Sequence, residues 1–334
     1  MRIDSFDTSD RVFVIAEIGN NHEGSLDLAR ALVEEAAAAG ADAVKFQTFR
    51  TEHFVHRSDS ERYARLERFR LSFEEFAELA GLTRQRGLLF VSTALDLESA
   101  RFLAETADCL KIASGDNDFL PLLDIAARSA MPLIVSTGLA DVEQLDRTVE
   151  FVEGARGSRD GLALLQCVSS YPAPDEEVNL LAIELLGERY PGWTIGFSDH
   201  TLGLEAAPLA VAAGARIVEK HFTLDKHLSD FRDHQLSADP ADLRQLVERI
   251  RAAERFAGRR EKVLQPSEEP NAVPVRRSIA AGGDFPAGHR LQEGDLTWLR
   301  PGDGMRPGEE HLLVGKALRH AVAFGDRLQR DDVE

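Results

Sequence analysis

Two lysines stand where lysine is costly, inside the apolar runs AVKF and LKI, at Lys45 and Lys111. Hydroxyls lie at or near the ends of these and neighbouring runs, at Thr93, Ser114, Ser136 and Ser198. Two cations with hydroxyls and backbone N–H groups suit a dianionic phosphate and a carboxylate, the lysines acting as point charges and the hydroxyls giving direction. Other readings stay open: a lysine can snorkel past an apolar edge, and one buried lysine can form a Schiff base, though that leaves two histidines without a task. His200 follows GFSD and His221 follows IVEK. A pair of imidazoles with positions left for water and substrate makes a catalytic divalent-metal site, and hydrogen-bonded rim histidines are the alternative. Glu17, in IAEIGNNHEG, ends an apolar run, and a buried carboxylate there is costly unless paired or catalytic. His22 and Glu23 are weaker candidates, and Asp233-His234 sits in a loop where charges are usually solvated.

These residues need elements that bring them together. Short apolar runs alternate with helical patterns: Val12–Ile18, Ala43–Thr48, Leu88–Ser92, Cys109–Ala113, Leu133–Ser136, Leu162–Gln166, Thr194–Ser198 and Ile217–Glu219. The pattern predicts parallel strands with helical crossovers and, at this length, a TIM (β/α)8 barrel. An open doubly wound sheet is the rival, but no GxGxxG follows the first run. The first crossover is well marked: Ser25 caps it, Leu28, Leu32, Val33 and Ala36 form its apolar stripe, and Gly40 stops it. In a barrel the C-terminal strand ends build the active site, and nearly every run ends on a polar group. Glu17, Lys45, Gln47, Thr93, Lys111, Ser114, Ser136, Thr137, Gln166, Ser198, His200 and His221 are thereby placed on one rim.

The texture changes after Gly258. Residues 259–274 are polar with three prolines and read as a linker between a barrel domain at 1–258 and a small, mainly β domain at 275–334. A formal net charge of -18 argues against nucleic acid or an anionic membrane as partner. No apolar run is long enough to span a bilayer, and the polar N-terminus has no signal-peptide core, which points to the cytoplasm. Cys109 and Cys167 each fall in an apolar run, so they are expected to be buried and inert rather than a disulfide.

Taken in order, IAEIGNNHEG, AVKFQTF, FVSTALD, LKIASGD, PLIVSTG, QCVSSYPAP, GFSDHT and EKHFTLD resemble the N-acetylneuraminate (sialic acid) synthase family. RRSIAA and TWLRPGDGM resemble the antifreeze-like (SAF) domain that closes those enzymes, so the likeness covers nearly the whole chain. The resemblance implies condensation of phosphoenolpyruvate with an N-acylated mannosamine, with C–O cleavage and release of phosphate. It implies that Lys45, Thr93, Lys111, Ser114, Ser136 and Ser198 hold phosphoenolpyruvate, and that His200 and His221 bind Mn²⁺ or Mg²⁺. Glu17 and Asp116 would sit near the reacting centre, and Ser169, Tyr171 and Asp233 on the sugar side. Arg300 would reach the N-acyl group in the partner subunit of a domain-swapped homodimer. The chain departs from the family pattern at Ser169, often asparagine, at Asp116, usually glutamate, and in the loop 226–237, which is one residue longer. Rival readings are a synthase acting on a phosphorylated aldose and a catalytically inactive carbohydrate-binding protein.

Overall fold

The computed structural model describes residues 1–334, which divide into two compact units, Met1–Gly258 and Arg259–Glu334. The first is a closed parallel barrel of eight strands: β1 Phe13–Gly19, β2 Ala43–Thr48, β3 Leu89–Ala94, β4 Cys109–Ile112, β5 Leu133–Ser136, β6 Leu162–Cys167, β7 Thr194–Asp199 and β8 Ile217–His221. β8 pairs with β1 in the register Ile217↔Phe13 through His221↔Glu17 and so closes the ring. With crossover helices on the outside this is the TIM barrel that the alternation of runs predicts.

Residues two apart on a strand face the same way, and the barrel uses that to keep two cores separate. Val14, Val44, Phe90, Leu110 and Val135 point outward under the helices. Phe13, Ile15, Ala43, Val91, Cys109, Ile134, Ala163, Leu165 and Ile217 point inward and plug the interior. Gly196 belongs to the plug by omission, because a Cβ there would lie 2.5 Å from Leu165 Cδ2 and 2.5 Å from the Ile217 carbonyl oxygen. The inward residues one step further toward the strand C-termini are polar, which converts the top of a packed core into a site.

The first crossover follows its sequence signals: Ser25 accepts from Leu28 N, the helix Leu26–Ala39 buries Leu32, Val33 and Ala36, and Gly40 ends it at φ 88°. The crossover from β2 to β3 is longer, with helices Thr51–Phe54, Ser60–Phe69 and Phe73–Gln85. No helix of the protein is long and apolar enough to cross a membrane.

The second unit is built on the antiparallel pair β9 Ser278–Ala281 and β10 Leu296–Leu299, with a core including Ile279, Leu291, Leu313, Leu318 and Leu328. Arg300 follows β10 directly and is exposed. Residues 259–270 are exposed throughout.

Candidate active site

The strand registers alone set the polar row side by side. Glu17 stands opposite Lys45, Thr93 opposite Lys111, and Ser198 opposite both Cys167 and Glu219. Lys45 and Lys111 are 3% and 2% exposed, so neither snorkels to solvent. The two lysines differ in company. Lys45 Nζ lies 2.9 Å from Glu17 and 3.6 Å from Glu219 and donates to Thr93 at 3.1 Å. Lys111 donates to the Ser136 hydroxyl at 2.6 Å and to the Ile112 carbonyl at 3.1 Å, and no carboxylate pairs with it. One cation is thus neutralised by the protein and the other is left for an anion.

Two carboxylates share this space. Burial raises the Glu17 carboxyl above its usual range despite Lys45 and Gln47. Burial acts the same way on Glu219, but Lys111, Lys45 and the Ser198 hydroxyl outweigh it and leave that carboxyl below the usual range. Environments that push two acids apart in this way suit them to different roles in proton transfer. Glu219 is a site residue that reading the strand ends passed over, although its place two residues before His221 on an inward-facing register would have found it.

The loops beyond the strands complete the wall. Ser114, on the turn after β4, accepts from Gly138 N at 3.2 Å, and Asn117 bridges from the same turn to the Ser136 and Gly138 carbonyls at 3.2 and 3.0 Å. Gly138 leaves room for two hydroxyls, because a Cβ there would lie 2.5 Å from Ser169 Oγ and 2.7 Å from Ser114 Oγ. Ser169 Oγ is buried and without a hydrogen-bond partner. Asp116 is half-buried on the Ser114 turn, and burial, helped by Asp118, pushes its carboxyl up to about 6 against the pull of Lys111. A folded-state value above the ordinary one means that stability is lost as pH rises from the usual carboxylate range to about 6. Asp116→Asn is therefore expected to flatten the thermal-denaturation midpoint across that interval, where the parent's midpoint falls; equal slopes in the two proteins would count against it.

His200 and His221 come together as their strands require, with ring centroids 5.4 Å apart. His200 Nδ1 meets the Val168 carbonyl at 2.8 Å, which directs the lone pair to Nε2. Burial opposes its charging, but the Cys167 thiol and the Val168 carbonyl outweigh burial and raise it above the ordinary histidine value. His221 is held well below the ordinary value by burial and by His200, and its Nδ1 is buried without a partner. On the outward face, the buried pair Lys220–Asp199 at 3.1 Å ties β8 to the end of β7, and Lys220 also donates to the Thr201 carbonyl in the turn beyond at 2.6 Å. Two nitrogen donors, one fixed by its second hydrogen bond and one an unpartnered buried atom, fit a divalent ion. No third His, Cys, Asp or Glu completes a ligand set with them.

Two expectations are corrected here. Gln166 does not face the interior: its side chain donates outward to the Val178 carbonyl, because the alternation sets Leu165 and Cys167 inward. Cys167 is consequently no inert packing residue. Its Sγ lies 3.5 Å from Ser114 Oγ and 3.7 Å from His200 Nδ1; burial alone would raise the thiol, but His200, Ser114 and Lys111 bring it below the ordinary value. Cys109 is the apolar residue expected, deep in the plug.

Above the row opens a cavity of about 920 Å³ lined by Gln47, Tyr171, His221 and Asp233, among others. The Tyr171 ring lies 4.2 Å from that of His200 and 5.9 Å from that of His221, and Asp233 pairs with Arg232 at 3.3 Å. Burial raises the carboxyl of Asp233. His22 lies beneath, held neutral by burial, which brings it down to about 4. Glu23 accepts from the Ser229 hydroxyl and lies 3.2 Å from the buried His234, binding the loop after β1 to the loop after β8. Arg300 lies in the second unit and is not among the groups that the barrel itself assembles.

A match to the NeuB family spans residues 32–262. The chain belongs to that family. Among NeuB relatives it is 38% identical to N,N'-diacetyllegionaminic acid synthase of Legionella pneumophila, over 96% of this chain and 94% of that one. It is 32% identical to pseudaminic acid synthase of Campylobacter jejuni, with both chains covered completely. The crystal structure of N-acetylneuraminic acid (sialic acid) synthetase from Leptospira borgpetersenii, in complex with citrate, superposes with a TM-score of 0.76 at 34% identity, covering 81% of this chain and 94% of that one.

Proposed function

We propose that this NeuB-family enzyme is a nonulosonic acid synthase that condenses phosphoenolpyruvate with the open-chain form of an N-acylated mannosamine. The observation that carries the reading is the inner row itself: a buried lysine hydrogen-bonded only to neutral groups, hydroxyls on the neighbouring strand ends, and a pair of histidines of which His221 lines the cavity. Lys111, Ser136, Ser114 and Ser198 offer an anion a cation and directed donors, with Lys45 and Thr93 on the adjoining strands. These residues hold C3 of phosphoenolpyruvate toward the acceptor's aldehyde carbon, so much of the acceleration comes from positioning and fixed electrostatics.

His200 and His221 would hold a divalent ion, Mn²⁺ or Mg²⁺, which would supply Lewis-acid polarisation of the acceptor's aldehyde. The new bond joins C3 of phosphoenolpyruvate to the aldehyde carbon, water adds at C2, and the C2–O bond to phosphorus breaks to release inorganic phosphate. Glu17, whose carboxyl burial raises, is placed to pass a proton to the developing alkoxide, and Glu219 or Asp116 can receive one from the attacking water. Tyr171 and Asp233, which line the cavity, and the buried hydroxyl of Ser169 would serve the acceptor. Arg300, the domain-swapped dimer and the SAF assignment of the second unit stay with the resemblance.

Gly138→Ala is the sharpest test of the hydroxyl cradle. The new methyl displaces two side-chain oxygens rather than backbone, so the fold is kept while the donors move. About a tenfold fall in kcat/KM for phosphoenolpyruvate is expected from the displaced Ser114, roughly one hydrogen bond's worth, with a raised KM for the acceptor from the displaced Ser169. Unchanged kinetics would remove Ser114 and Ser169 from the site. The reading as a whole is tested by phosphate release from phosphoenolpyruvate with N-acetylmannosamine and with 2,4-diacetamido-2,4,6-trideoxymannose as acceptors.

A further inference from the structure

The helix Ser60–Phe69, carried in the long crossover between β2 and β3, has no part in the chemistry above. It is anchored by Leu66 and Phe69. Leu66 packs with Phe49 and Leu95, and the Phe69 ring meets Phe231 edge-on at 5.1 Å. That anchoring brings Arg62, Arg65 and Arg68, spaced three residues apart, to the wall of the 920 Å³ cavity. All three are exposed and none forms an ion pair. Arg62 and Arg68 are held by ring faces instead, their guanidinium carbons 5.6 Å above Phe54 and 5.0 Å above Phe69. Of the acids on the same wall, Asp233 is paired with Arg232, which leaves Glu23, hydrogen-bonded to Ser229 and His234, and Asp230 to oppose three cations that have no ion-pair partner.

The rest of the molecule makes this cluster consequential. With 39 basic and 57 acidic residues, the chain repels an anion at long range. A site that needs phosphoenolpyruvate must overcome that repulsion at its mouth. We infer that Arg62, Arg65 and Arg68 form an electrostatic funnel that raises the local concentration of the anionic co-substrate and guides it down to Lys111. The inference rests on the reading of phosphoenolpyruvate as substrate. A neutral N-acylated sugar gains nothing from such a field, so the two substrates must respond differently to it and to salt.

The test is the full chain carrying Arg62→Gln, Arg65→Gln and Arg68→Gln together, against a control with Arg101→Gln, Arg128→Gln and Arg244→Gln. The control loses the same charge from exposed positions on other crossover helices. At low ionic strength the funnel variant is expected to lose about tenfold in kcat/KM for phosphoenolpyruvate, narrowing to about twofold near 0.5 M salt, with kcat and the acceptor KM unchanged. The control keeps the parent's values. Equal salt dependence in parent and funnel variant overturns the inference, as does a loss that falls on the acceptor instead, which would assign the arginines to an anionic group on that sugar. Calorimetric titration of phosphoenolpyruvate alone separates the two levels. No binding to the parent at any salt overturns the substrate reading and the funnel with it, whereas equal salt-dependent binding to parent and variant overturns the funnel only.

Discussion

On the proposed reading, Lys111→Met is expected to lower kcat/KM for phosphoenolpyruvate by roughly 10²–10³-fold while the protein stays folded. The magnitude is that of removing one partner from a buried, hydrogen-bonded charge pair, about 2–5 kcal/mol. The survival of the fold follows from the partners Lys111 has in the protein alone, a hydroxyl and a carbonyl: Glu219 loses the field of Lys111 but keeps Lys45 and the Ser198 hydroxyl. Methionine fills a similar volume and saves the burial of a charge that desolvation already disfavours, since Lys111 is held below the ordinary lysine value by burial. Lys45→Met behaves differently. It leaves Glu17 and Glu219 in the interior without the cation between them, and the loss appears as a lower denaturation midpoint as well as lower activity. Comparing the two variants by calorimetry and by phosphoenolpyruvate titration separates an anion-binding lysine from a structural one. A Lys111→Met variant that binds phosphoenolpyruvate as the parent does would contradict the assignment.

If the proposed metal sits on these imidazoles, His221→Ala and His200→Ala are each expected to abolish tight binding of Mn²⁺ and to lower kcat by about 10³-fold at saturating metal, the several kcal/mol that Lewis-acid polarisation would contribute. Mn²⁺ titration followed by electron paramagnetic resonance reads the first effect without turnover. The two variants differ in side effects: loss of His200 also frees the Val168 carbonyl and the Cys167 thiol, whereas the Nδ1 of His221 has no partner to abandon. His221→Ala is therefore the cleaner probe. A protein lacking both imidazoles yet fully active would remove the metal from the account.

How much of this was legible in the amino-acid order depends on the register of each strand. Lys45 and Lys111 are readable because each lies two residues beyond an inward apolar residue, Ala43 and Cys109, so strand alternation alone aims both at the same axis. The histidines follow from adjacent strands. The end of β6 was misread by one residue, and a single residue decides which face a side chain takes. Gln166 went outward, and Cys167, which looked like packing, came into the site. Glu219 was passed over as the terminus of a short apolar run, although it lies two residues before His221 and strand alternation sets the two on the same face. The helix Ser60–Phe69 was not visible at all. With Leu66 and Phe69 as its only buried residues it carries almost no apolar stripe, and its position depends on aromatic contacts made by the distant Phe231.

The most direct measurement is the fate of the bridging oxygen when phosphoenolpyruvate labelled there with ¹⁸O is turned over with Mn²⁺ and an N-acylated mannosamine. The account predicts phosphate release that requires both sugar and metal, with the label carried off in inorganic phosphate by C–O cleavage. Phosphate release without a sugar, or label retained in the organic product, would contradict it.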